Sequence, residues 1–158
     1  MDRMKIVKLI VAIVICQLAG VIGSIFTVSS IPTWYASLQK PAFAPPNWLF
    51  GPVWITLFTL MGISLYLVWD QLDKKEAKKS IVIFGIQLVL NIFWSVLFFG
   101  LKSPFYAFIE IIILWVSIAF TIFKFYKISR NAALLLIPYI VWVSVATILN
   151  YYIWILNP

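Results

Sequence analysis

The sequence predicts an all-α integral membrane protein, a bundle of five transmembrane helices with an ordered outer loop between the first two. Three observations carry this. Of 158 residues, 64% are apolar and 11% are charged, against about 25% charged in a soluble domain. So much apolar surface cannot be hidden in one water-facing core. The apolar residues fall into five runs, each near the ~20 residues a helix needs to cross hydrocarbon. The third observation is where the basic residues lie. Arg3, Lys5, Lys8, Lys74, Lys75, Lys78, Lys79, Lys124, Lys127 and Arg130 fall on one side of the implied topology, and only Lys40 and Lys102 on the other. Ten against two is the bias that orients membrane proteins, with the basic side cytoplasmic. The expected arrangement is a multi-pass protein of the cell membrane. Its N-terminus is cytoplasmic, and its C-terminus and loop 29–50 lie outside.

The five spans are read at 9–28, 51–69, 81–101, 105–123 and 132–156, and 1–158 as a single transmembrane domain. A basic start before an apolar run also describes a signal peptide. The first run is longer than a signal core and carries Cys16, Gly20 and Ser24 at four-residue spacing, the pattern of a helix that meets another closely. It is therefore read as a retained span. Gly20, Gly23 and Ser24, with Gly85 on the third span, are also candidate surfaces for contact between copies.

The net charge is +7. Basic charge can signal nucleic acid, but here it is confined to short loops between apolar runs, so the expected partner is the lipid bilayer. There is no His and only one Cys. This removes the usual general base, metal ligand and axial haem ligand, and no metal site is expected. No nucleophile–base pair or phosphate loop is present either.

The loop 29–50 is long, and long loops in compact proteins are often lids or binding loops. Trp34, Tyr35, Leu38, Phe43, Trp48, Leu49 and Phe50 need burial. A short helix is expected over Thr33–Leu38, followed by an extended path fixed by Pro41, Pro45 and Pro46. The segment reads as a cap over the outer end of the bundle. The competing reading is an interfacial anchor with its aromatics at headgroup depth.

Polar residues inside the spans mark the candidate site. Gln87, Asn91, Trp94 and Ser95 share one face of the third span by three- and four-residue spacing. Trp142, Ala146 and Asn150 share a face of the fifth, Trp54, Phe58 and Met61 a stripe on the second, and Glu110 stands alone on the fourth. At about 1.5 Å of rise per residue, these groups concentrate in the outer half, beneath the cap. A chamber there, with few charges and many ring faces, suits a flat apolar ligand such as a porphyrin or sterol. With no His, a porphyrin would be held by its faces and edges, as a ligand or substrate and not as a covalently bound cofactor. Glu110 is costly in the membrane and is expected to be a structural partner of an Asn or Trp, or a proton-coupling group if the protein is a transporter of porphyrin or lipid-like solutes.

Several stretches in order carry a family resemblance: Trp34-Tyr35 with Leu38, Lys40-Pro41, Pro45-Pro46, Gly51-Pro52-Val53-Trp54, Gln87-Leu88, Asn91 with Trp94, Phe98-Phe99-Gly100, Pro138-Tyr139, Trp142, Ala146-Thr147 and Leu149-Asn150. On five spans, these resemble the tryptophan-rich sensory protein and translocator protein (peripheral benzodiazepine receptor) family, in particular its bacterial members. The resemblance implies a five-helix bundle, commonly a homodimer, that binds porphyrins and synthetic isoquinoline or benzodiazepine drugs under its first loop. For bacterial members it also implies light-dependent porphyrin degradation. Carried over by position, Tyr35, Pro45, Trp54, Phe58, Asn91, Trp94, Trp142 and Ala146 would line the pocket, with Trp54 and Trp142 as electron donors. Glu110 sits where the family often has an acid, and Gln87 and Asn150 are polar neighbours.

Overall fold

A computed structural model describes every residue, Met1–Pro158. It is helical throughout: α1 (Arg3–Thr27), α2 (Asn47–Trp69), α3 (Lys75–Ser95), α4 (Pro104–Tyr126), α5 (Arg130–Leu135) and α6 (Ile137–Leu156). A wider π-helical turn, Val96–Gly100, continues α3. The chain breaks at Leu136, just before Pro138, so α5 and α6 together make one crossing. Five stretches are thus long and apolar enough to span a membrane, with mean hydropathy from 1.7 to 2.6.

These helices outrun the apolar windows. α1 begins at Arg3 instead of residue 9, and α3 at Lys75 instead of residue 81. Hydropathy registers where hydrocarbon ends, whereas the backbone ladder continues into water as long as the residues are good helix formers. Lys75-Glu76-Ala77-Lys78-Lys79 are such residues, and Glu76 in the first turn suits the positive end of the helix dipole. At this basic end the ammonium groups of Lys5 and Lys8 each lie 3.4 Å from the Asp70 carboxylate, joining the start of α1 to the end of α2.

α1 packs mainly on α2, α3 on α4, and α4 on α6. The first contact depends on small residues. α1 buries Ala12, Cys16, Ala19 and Gly23 and turns Val14, Leu18, Val21 and Ile25 outward to lipid. A Cβ on Gly62 would sit 2.5 Å from the Ile13 Cα, and one on Gly20 would sit 2.8 Å from the Phe58 ring. Only hydrogen fits at either place. Gly20 and Gly23 therefore serve contacts within the chain, the latter facing Ser95. They are not free for contact between copies, while Gly85 is open.

Buried apolar side chains form two clusters. The larger joins α1–α6 and includes Phe58, Met61, Phe84, Leu88, Leu114, Tyr139 and Val143. The smaller, at the outer end, comprises Tyr35, Phe98, Phe99, Ala107, Leu149 and Ile153. Trp94 packs against both. Asn91 on α3 and Glu110 on α4 lie between the clusters along their helices, and Asn150 on α6 lies within the smaller one, beside Leu149; all three are buried. The Asn91 amide donates to the Tyr139 hydroxyl (2.8 Å), which donates to Gln87 Oε1 (2.8 Å). The Trp94 indole donates to Asn150 Oδ1 (3.0 Å), and Asn150 Nδ2 donates to the Pro104 carbonyl (2.8 Å). These bonds tie α3 to α6 at two heights and α6 to the start of α4. Glu110 is not in either set. Neither of its oxygens has a partner in the protein, nor does Gln87 Nε2. The expected pairing of Glu110 with an Asn or Trp is absent because Trp94 and Asn150 satisfy each other.

The outer loop is ordered. Ser30 donates from its hydroxyl to the Phe99 carbonyl (3.1 Å). Ile31–Tyr35 then form a π-helical turn, starting before the expected Thr33. Lys40 folds back, donating to the carbonyls of Tyr35 (2.7 Å) and Leu38 (3.1 Å). Beyond it, Gln39 and Asn157 exchange two bonds: the Gln39 N–H donates to Asn157 Oδ1 (3.0 Å) and Asn157 Nδ2 donates to the Gln39 carbonyl (2.9 Å). Trp34, Tyr35, Leu38 and Phe50 pack on the outer cluster, whereas Trp48 is 71% and Phe43 49% exposed. The first group thus forms the expected cap, and the second leaves two rings exposed beside it.

Three stability outcomes rest on these contacts. Gly62→Ala forces backbone apart and should cost about 1–3 kcal/mol, seen as a lowered Tm in detergent, while Gly85→Ala leaves Tm in place; equal Tm values would refute the close α1–α2 crossing. Asn91→Leu removes one of the two bonds of the Tyr139 hydroxyl, leaving it only Gln87, and should destabilise by about 0.6–1.7 kcal/mol. Glu110→Leu removes an unpartnered buried group and should hold or raise Tm; a loss like that of Asn91→Leu would show that Glu110 has a structural partner.

Candidate ligand-binding chamber

Between the cap and the middle of the bundle lies a cavity of about 390 Å³, within the roughly 300–1,000 Å³ of small-molecule pockets. Its back wall is α3 and α6, each packed on α4 and bridged to the other by the Asn91–Tyr139 and Trp94–Asn150 hydrogen bonds. α3 supplies Asn91, Trp94 and Ser95, and its π-helical extension supplies Phe98 and Phe99. α6 supplies Trp142, Ala146, Leu149 and Asn150. From α2 come Phe50, Gly51, Trp54, Ile55 and Phe58, and from α1 a face that includes Gln17, Gly20, Gly23, Ser24 and Thr27. Tyr35 and Ile31 close the top.

Ring packing fixes these faces. Trp94 stacks on Phe98 at 4.9 Å between centroids and 19° between planes. Trp54 lies over Phe58 at 5.4 Å and meets Tyr139 edge-on at 6.3 Å. Phe50 makes T-shaped pairs with Trp142 at 6.0 Å and with Tyr35 at 6.3 Å. Edge-to-face and offset pairs add about 0.5–1.5 kcal/mol each beyond burial, so the rings hold one arrangement instead of collapsing into the space.

Few polar atoms reach this space unsatisfied. The protein gives Asn91 a partner for its amide nitrogen but no donor for its oxygen. The Tyr35 hydroxyl is buried and unpartnered. Burial pushes that phenol above its ordinary range, so it stays a neutral donor at physiological pH. No group of His, Cys, Asp and Glu that could hold a metal ion occurs.

Of the residues expected to line the pocket, Tyr35, Trp54, Phe58, Asn91, Trp94, Trp142 and Ala146 do so, and Asn150 joins them. Pro45 does not, while Phe50 in the first turn of α2 does. Gln87 and Glu110 also lie outside the lining. Gln87 faces Tyr139 below the chamber, and Glu110 lies on the α4 face that also buries Ala107, Ile111 and Leu114. Phe50, Phe98 and Phe99 were not anticipated. Phe98 continues the Trp94 stripe four residues on, and Phe50 precedes Trp54 by four, so helical spacing carried the signal.

Comparison with known proteins agrees with this architecture. Residues 12–155 match the TspO/MBR family. The chain is 44% identical to a tryptophan-rich protein TspO of Archaeoglobus fulgidus, over 98% of this chain and 99% of that one. It is 35% identical to protein CrtK of Rhodobacter capsulatus, over 98% and 96% of the two chains. It is 40% identical to the human translocator protein, over 84% of this chain and 80% of the human one. With five membrane-spanning lengths and a match along nearly the whole chain, this multi-pass membrane protein belongs to the TspO/MBR family.

Proposed function

We propose that the chamber binds a flat, largely apolar molecule, with protoporphyrin IX as the model ligand, and that the protein acts as a membrane receptor or sensor for such compounds. The observation that carries this reading is the chamber itself, walled by Trp54, Trp94, Trp142, Phe50, Phe58 and Phe98 with hardly a charge among its lining residues. Stacking and edge contacts reward an extended ring system. The Asn91 oxygen and the Tyr35 hydroxyl offer one acceptor and one donor, which suits a ring bearing N–H groups and a carbonyl or carboxylate edge. The protein has no His, so recognition of the porphyrin rests on its faces and edges.

Light-dependent porphyrin degradation is a second activity of the same chamber. A photoexcited porphyrin accepts one electron, which Trp54 or Trp142, both lining the chamber, would supply; this leaves an indole radical cation and a porphyrin radical anion, and dissolved dioxygen is the oxidant that then consumes the ring. Transport with Glu110 as the proton-coupling group gains no support, since Glu110 is buried away from the chamber. We further propose that the basic ends face the cytoplasm, with the cap outside, and that two copies associate as a homodimer through a lipid-facing surface such as that around Gly85.

In nanodiscs and darkness, protoporphyrin IX should quench tryptophan fluorescence saturably, and Trp142→Phe should weaken binding by about threefold to tenfold, the loss of roughly one aromatic contact. Unsaturable quenching would refute the chamber as a porphyrin site. Under illumination the parent should bleach porphyrin faster than empty nanodiscs, and a Trp54→Phe/Trp142→Phe double variant should bleach at the empty-disc rate. Bleaching by the double variant at the parent rate would remove these residues as electron donors.

A further inference from the structure

The chamber's walls are unequal. On the α3 and α6 side, Asn91, Phe98, Phe99, Leu149 and Asn150 are all under 10% exposed. On the α1 and α2 side, Val21, Val28 and Ile55 line the same cavity yet are 57%, 69% and 61% exposed. A side chain can border a cavity and face outward only where the wall is open. Gly51 widens the opening, since a Cβ there would meet nothing within 4 Å. The opening has a lower sill: Gln17 Nε2 donates to the Ile55 carbonyl (3.0 Å) and to Thr59 Oγ1 (2.9 Å), joining α1 to α2 below the gap.

The depth of this slit decides what it opens to. From Gln17 to Val28 is about 16 Å of helix at about 1.5 Å per residue, roughly half of a hydrocarbon core of about 30 Å. The exposed rim residues Val21, Val28 and Ile55 are apolar, as a lipid-facing surface requires, and Ser24, Thr27 and Asn47 stand toward its outer end. The top, by contrast, is tied to the helices at two places and braced within itself by a third set of bonds. Ser30 holds Phe99, Lys40 holds two loop carbonyls, and Gln39 and Asn157 hold each other.

We infer that ligand enters and leaves the chamber sideways, through the slit between α1 and α2, out of the bilayer leaflet on the capped side and not from water through the cap. The inference rests on the reading of the chamber as a binding site. It also narrows the ligand class to amphiphiles that dissolve in the membrane first, with the flat apolar body inside and a polar edge left at the slit near Ser24 and Asn47. Effective affinity then follows the ligand's concentration in the bilayer.

Stopped-flow tryptophan quenching by protoporphyrin IX in nanodiscs tests this with three variants. Gly51→Leu and Val21→Trp add bulk on opposite rims of the slit, into space the structure leaves open at Gly51. A narrowed gate slows passage both ways, so each should lower the association and dissociation rates together by about tenfold, their ratio changing much less. Asn157→Ala unfastens the cap at a residue outside the chamber and should leave both rates at the parent value. Rates raised by Asn157→Ala and untouched by the slit variants would overturn lateral entry while leaving the chamber a binding site. A parent protein without saturable quenching would overturn the chamber reading itself, and lateral entry with it.

Discussion

Between helices in lipid, hiding one apolar side chain behind another gains little, because the surrounding tails are as apolar as leucine. What holds this bundle is close fit and internal hydrogen bonding. The bonds that matter most are those between α3 and α6: Asn91 to Tyr139 to Gln87, and Trp94 to Asn150 to Pro104. They fix the rotation of both helices about their axes. With the two helices held in that rotation, Trp94, Phe98, Trp142 and Ala146 must face the same side. The chamber is the space in front of that face which α1 and α2, closely crossed at Gly62, do not fill.

Each polar residue of that wall therefore has two duties. The Asn91 nitrogen is spent on Tyr139, and its oxygen is left to the chamber. Trp94 spends its indole N–H on Asn150 and offers its ring. A residue so tied is pre-organised, and ligand binding need not freeze it, which lowers the entropic cost of association. The cap follows the same logic. The Ser30 hydroxyl fastens it to the Phe99 carbonyl and the Gln39 backbone to the Asn157 side chain, so Tyr35 is already over the space when a ligand arrives.

The architecture was largely legible in the sequence because lipid imposes a simple rule: long apolar runs cross, and polar residues within them mark inward faces. Trp54, Phe58, Asn91, Trp94, Trp142 and Ala146 could be placed on faces by helical spacing. Helix ends were less legible, since hydropathy reports hydrocarbon and not hydrogen bonding, and the charged start of α3 is helical all the same. Pro45 was misplaced because loop geometry has no period from which to read direction. Glu110 was misread because Trp94 and Asn150 bond each other and Asn91 bonds Tyr139, pairings visible only once the helices are docked. The roles of Gly20 and Gly23 were open for a related reason. A small residue announces a close approach without saying whether the neighbour is the same chain or another.

The central claim, that the outer chamber and no other surface takes the ligand, is tested most directly by indole N–H resonances of the uniformly ¹⁵N-labelled protein, assigned by single Trp→Phe variants, in the dark with and without protoporphyrin IX. The eight tryptophans are distributed usefully. Trp54, Trp94 and Trp142 line the chamber, while Trp69 stands at the basic end and Trp115 on a lipid-facing side, bonded to Ser144. The account predicts saturable shifts at Trp54, Trp94 and Trp142, with Trp69 and Trp115 unmoved. Shifts confined to Trp69, Trp115 or Trp154 would place the porphyrin on the outer surface of the bundle and contradict it.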